Sequence, residues 1–120
     1  MNQLTTQAIQ NYLVIKNQCN FNELVIDAVD GAFSSFGEQI KQVLYSQLEN
    51  KNNIKMQDIP FKVEEFSDSI REIFGLTAGL VEMRIIKLLH LRLRNYVYYP
   101  KNNDLVFTEY MADLKRYLQS

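Results

Sequence analysis

Apolar residues recur along this chain with helical rather than alternating spacing, and short polar stretches interrupt them. Leu4, Ala8, Ile9, Tyr12 and Leu13 mark a first amphipathic segment that ends in the polar run Lys16–Asn20. Asn22 is placed to cap a second helix carrying Leu24, Val25, Ala28, Val29, Ala32 and Phe33, which Gly31, Ser34 and Ser35 weaken near its end. Phe36, Ile40, Val43, Leu44 and Leu48 then define a third helical face. Asn50–Asp58 is polar, with Ile54 and Met56 as anchors. Pro60 fixes its own φ and biases Ile59 toward extended backbone, so no helix is expected through this point.

Beyond the proline, Val63, Phe66, Ile70, Ile73 and Phe74 share a face, and Gly75 is placed to stop that helix. The stretch Leu76–Val97 follows, the longest run compatible with one uninterrupted helix. Val81, Ile85, Ile86, Leu88, Leu89, Leu93, Tyr96 and Val97 fall on a wide arc when residues are set about 100° apart. An apolar face this broad packs against several neighbours, so this helix is expected to be the spine, with Thr77 as its cap. Gly79 marks a place where another backbone could come close. Val97–Tyr99 and Leu105–Phe107 flank a polar turn and could pair as a tiny two-stranded ribbon. Thr108 is placed to cap a last helix whose face is Tyr110, Met111, Leu114, Tyr117 and Leu118. The expected fold is all-α, a compact bundle of about five helices with any strand confined to the ribbon near 97–107. Residues 1–20 form an N-terminal helical extension and 21–120 a single domain.

Composition narrows this further. At 120 residues the chain can bury a core without staples, and 47% hydrophobic with 22% charged residues argues against disorder. The net charge of −1 gives no global attraction to nucleic acid or to anionic membrane. One cysteine, Cys19, excludes an internal disulfide and a thiolate metal cluster, and fits a reducing compartment. Met1–Gln10 lacks the basic residues of a signal sequence, and no apolar run approaches the roughly 20 residues needed to cross a bilayer. A cytoplasmic protein with no membrane partner is therefore expected.

From about Val25 to Leu118 the order of several features resembles the small helical Nitrosopumilus output domain family of archaeal signalling proteins. The residues concerned are Phe36–Gly37, Leu44–Tyr45 with Leu48, the Asp58–Ile59–Pro60 turn, Phe66–Ser67 and Ile73–Phe74–Gly75. Ala78, Glu82, Ile85–Ile86, Leu89, Phe107 and Tyr110–Met111 continue the match. The resemblance implies a helical domain without catalytic residues that acts beside sensory or receiver modules. No receiver or kinase portion stands ahead of residue 25 here, so the partner would be met in trans.

The candidate chemistry is sparse. His90 is the single histidine, and the absence of Asp or Glu from Met83–Asn95 leaves it without co-ligands or a catalytic partner. Cys19 lies near Lys16 but has no histidine to make it a nucleophile. Gly75 and Gly79 match neither phosphate-binding glycine pattern. No catalytic, metal or cofactor site is expected, and the reading is that of a non-enzymatic protein-interaction module.

Glu82 interrupts the apolar arc, so it is expected to find a cation, a hydroxyl or a proton, either tied to Lys, Arg or Tyr from another helix or as a polar contact within a partner or self-association surface. Met83 and Leu91 remain on the otherwise polar side of the helix and nominate a homodimer interface, or a surface covered by Met1–Asn20. Arg84, Lys87 and Arg94 lie within about 80° of one another, with Arg92 apart. They pair with the acidic helix of Glu64, Glu65, Asp68 and Glu72, remain solvated, or contact phosphates in the alternative reading, a small nucleic-acid-binding regulator.

Overall fold

The computed structural model describes residues 21–119, and the extension at 1–20 lies outside the described residues. Five helices make up the described chain: α1 (21–34), α2 (Glu38–Asn52), α3 (Val63–Phe74), α4 (Ala78–Leu91) and α5 (Phe107–Gln119). Three short 3-10 turns, Met56–Phe61, Gly75–Thr77 and Lys101–Asn103, join them. The all-α expectation holds.

The helices begin and end differently from what the side chains suggested. Residue 21 is already helical, so Asn22 lies inside α1 rather than capping it. Pro60 sits within the 3-10 turn Met56–Phe61, near its end. A proline is tolerated there because a single turn needs few donors, and it still bars an α-helix from continuing. Thr77 does not cap α4, because its Oγ1 donates backwards to the Phe74 carbonyl at 2.8 Å. Thr108 lies in the first turn of α5, which starts at Phe107.

No strand forms among the described residues, and the ribbon at 97–107 is absent. Asn102 and Asn103 take positive φ values of 55° and 61°, Pro100 offers no N–H, and Phe107 is drawn into α5. The run Leu76–Val97 is likewise not one helix. Its α-helical part is Ala78–Leu91, after which Arg92 and Leu93 donate to the carbonyls of Leu89 and His90 and Asn95 turns at φ 62°. The cause lies just beyond: Tyr96 is buried, donates to Asp113 Oδ2 at 2.8 Å and packs on Tyr110 and Tyr117, which pulls the chain onto α5.

The centre of the bundle is α3, which packs on α2, α4 and α5. Phe66 stands in the middle, with Phe33 of α1 at 6.4 Å and Phe107 of α5 at 6.3 Å. The expected spine, α4, packs on α3 and α5, and Leu88 approaches Gly31 of α1 so closely that a Cβ there would meet its Cδ1 at 3.1 Å. That contact makes Gly31, rather than Gly79, the close-approach glycine, since nothing lies within 4 Å of a Cβ built at Gly79. Polar ties lock the layers. Tyr45 donates to Asp30 at 2.9 Å, and the ammonium of Lys41 lies between Asp30 and Glu38 at 3.4 Å each. Burial lowers the Lys41 pKa, but the bond to Glu38 and the charges of Asp30 and Glu38 outweigh it and hold the ammonium above its ordinary value.

Candidate interaction surface

Two tight corners, one leading into α2 and one into α4, border an apolar depression on the described surface. At the first, Phe36 N–H and Gly37 N–H donate to the carbonyls of Phe33 and Ser34, and Gly37 turns the chain at φ 97° into α2. At the second, Gly75 ends α3 at φ 58°, and one 3-10 turn leads into α4. These positive φ values favour glycine, because a Cβ would crowd the following carbonyl. The corners set the rings of Phe36 and Phe74 in a stack 5.6 Å apart. Beside them lies a groove of about 230 Å³, lined by Ala32, Ser35, Phe36, Phe74, Thr77, Leu80, Val81 and Arg84.

The groove opens onto the outer face of α4. Leu80, Met83, Arg84, Lys87 and Leu91 fall within an arc of about 100° when residues are set about 100° apart. All are exposed, Leu80 at 75% and Leu91 at 81%, and Leu76 just ahead of the helix is fully exposed. Phe36, just ahead of α2, and Ile40, in its first turn, are exposed as well, at 41% and 50%. The helical face expected to bury Phe36, Ile40, Val43, Leu44 and Leu48 thus inserts only Leu44 and Leu48 into the core. The rest of that face is free surface.

Met83 and Leu91 both lie on this outer face and are exposed. Glu82 does not. It is buried on the opposite side, where its Oε2 accepts from Ser67 Oγ at 2.7 Å, so it finds a hydroxyl, that of a serine of α3 rather than a Lys, Arg or Tyr group. Arg84 and Lys87 share the outer arc, whereas Arg94 lies in the turn beyond the helix. None of the three makes an ion pair among the described residues, and two of the four acids of α3 are engaged elsewhere, Glu72 with Lys51 at 2.8 Å and Asp68 with Arg71 at 3.6 Å. Arg92 reaches Asp27 of α1 at 2.8 Å.

His90 is exposed, with its Nδ1 3.0 Å from the Tyr110 hydroxyl. This contact fastens α4 to α5, and burial pushes the Tyr110 phenol up to about 12. Among the described residues no group of three or more His, Cys, Asp or Glu is placed to hold a metal ion. None of their helices is long and apolar enough to cross a membrane.

Phe36 and Phe74 stood in the sequence pattern as helix-face residues, not as walls of a groove, and Leu80 was not singled out at all. A signal for Leu80 existed in the spacing of Leu76, Leu80 and Met83, a second apolar line on the helix that also carries the wide arc. No protein-family model, curated protein or solved structure matches the chain.

Proposed function

We propose that this protein is a non-catalytic protein-interaction module whose contact surface is the outer face of α4 together with the Phe36–Phe74 groove. One observation carries the reading: Leu76, Leu80, Met83, Leu91, Phe36 and Ile40 leave large apolar side chains in solvent beside a preformed pocket, while the core is complete without them. Several large apolar side chains exposed beside a pocket mark an interaction site, and stacked aromatics there are the usual anchors of binding energy. The setting, an output module of archaeal-type signalling in the cytoplasm, rests on the resemblance carried by residues 25–118.

The exposed cations favour a second reading, nucleic-acid binding through Arg84, Lys87 and Arg94. Leu80, Met83 and Leu91 are interleaved with these cations, and apolar side chains at those places suit a protein surface better than a row of phosphates. Self-association through Met83 and Leu91 is a special case of the first reading.

The test is affinity capture from source cells with the immobilised full chain and with its Leu80→Glu variant. A protein held by the parent and lost by the variant is expected, with the variant's thermal unfolding unchanged because Leu80 is exposed. Identical captures would overturn the reading. Submicromolar, salt-sensitive retention of DNA or RNA that Leu80→Glu leaves intact would replace it with the second.

A further inference from the structure

Building on the interaction-module reading, we propose that the occupant of this surface is an amphipathic helix of another protein that carries carboxylates beside its apolar anchors. Leu80, Met83, Lys87 and Leu91 follow one another at steps of three and four residues, which makes a seam along most of α4. Such a seam accepts a second helix laid nearly parallel to it, with side chains interdigitating. From Leu80 to Leu91 the seam runs about 16 Å, so the contact is some three turns long. At one end a large apolar side chain of the incoming helix fills the groove between Phe36 and Leu80.

Charge selects the occupant. Arg84 lines the groove and Lys87 lies one turn further along, and neither has an ion pair among the described residues. The one acid of α4 is Glu82, buried on the other side and engaged by Ser67. In a pair of α4 helices related by a two-fold axis, both contributing arcs would hold two cations and no acid. Covering those cations without partners is costly, so a second copy of the chain is a poor occupant. A helix bearing Asp or Glu next to its anchors satisfies both halves of the surface at once.

Selection of a displayed library of helical peptides on the immobilised full chain tests this directly. Enriched sequences should carry apolar residues at helical spacing with Asp or Glu beside them. A synthetic copy of the most enriched peptide should bind the parent, lose at least about tenfold in affinity on Arg84→Glu, and fail on Leu80→Glu. Replacing its acids by lysines should abolish binding to the parent and restore it to the Arg84→Glu/Lys87→Glu double variant, a rescue that a general loss of fold cannot mimic.

The proposal is overturned if no sequence is enriched, if enriched sequences are neutral or basic, or if the charge exchange fails. It is also overturned if light scattering shows the chain pairing through this face, with a mass that Leu80→Glu returns to one copy, or if DNA competes the peptide away at equal charge. If Leu80→Glu loses a captured cellular protein while the selected helices lack acids, the interaction reading stands and this inference alone falls. If that variant loses nothing in the capture, both fall.

Discussion

Glu82 and Ser67 are buried polar side chains facing each other across the α3–α4 contact, and their hydrogen bond decides what each substitution there costs. Removing the serine hydroxyl leaves a buried acceptor without its donor, and the unmet group costs more than the bond gained. Ser67→Ala is therefore expected to destabilise the fold by about 1–3 kcal/mol in urea unfolding. Replacing both residues, Ser67→Ala with Glu82→Met, removes donor and acceptor together and should cost much less than the sum of the single changes. Strict additivity across this cycle would mean that the two side chains do not interact. That Glu82 would need a polar partner was legible in the sequence, because a carboxyl inside an apolar arc must be bonded or neutralised. Which partner it takes was not, since the donor comes from another helix and is set by how α3 crosses α4.

At the scale of the elements, periodicity located every described helix, while their ends and exposed faces depended on contacts between helices. The run Leu76–Val97 looked continuous because its apolar spacing persists. It breaks at Leu91 because burying Tyr96 against Asp113 and Tyr117 outweighs another turn of helix. Likewise Ile40 and Val43 have the spacing of core residues, yet α2 meets its neighbours along Leu44 and Leu48. The interaction groove was illegible for the same reason: Phe36 and Phe74 are remote in sequence and meet through two glycine corners.

Those corners give a paired prediction. Gly75 holds φ 58° and ψ −126°, a conformation hostile to any Cβ, so Gly75→Ala should destabilise by about 1–3 kcal/mol. Gly79 lies within α4 with open space where a Cβ would go, so Gly79→Ala should instead stabilise by roughly 0.5 kcal/mol through helix propensity. Thermal unfolding of the two variants should move in opposite directions. Equal shifts would mean that the α3–α4 corner does not need its left-handed turn.

For the whole molecule, four tyrosines tie stability to alkaline pH in one direction. Burial raises the phenols of Tyr45, Tyr96, Tyr98 and Tyr110. The carboxylates of Asp30 at Tyr45, of Asp113 at Tyr96, and of Glu109 and Asp113 at Tyr98 push three of them further. An ordinary tyrosine in the unfolded chain loses its proton near pH 10, whereas Tyr110 in the fold keeps its own to about 12. Between those values the folded state binds more protons than the unfolded one, so the free energy of unfolding falls as pH rises. The stabilisation from the Tyr110 hydroxyl is complete below pH 10 and is lost progressively from there to about 12, while Tyr45 and Tyr96, raised further, hold their protons beyond it. Three of the four, Tyr96, Tyr98 and Tyr110, hold the segment after α4 against α5, with rings 5.2–5.9 Å apart, so ionisation of Tyr110 should loosen that layer. Urea unfolding at stepped pH is therefore expected to show stability flat from neutrality to about pH 10 and falling steeply beyond it. Tyr110→Phe keeps the ring and removes the titrating hydroxyl, leaving exposed His90 to turn to water. Its stability curve should fall less steeply above pH 10 than that of the parent while differing little at neutrality, and parallel curves would show that the Tyr110 phenol ionises in the fold as readily as in the unfolded chain.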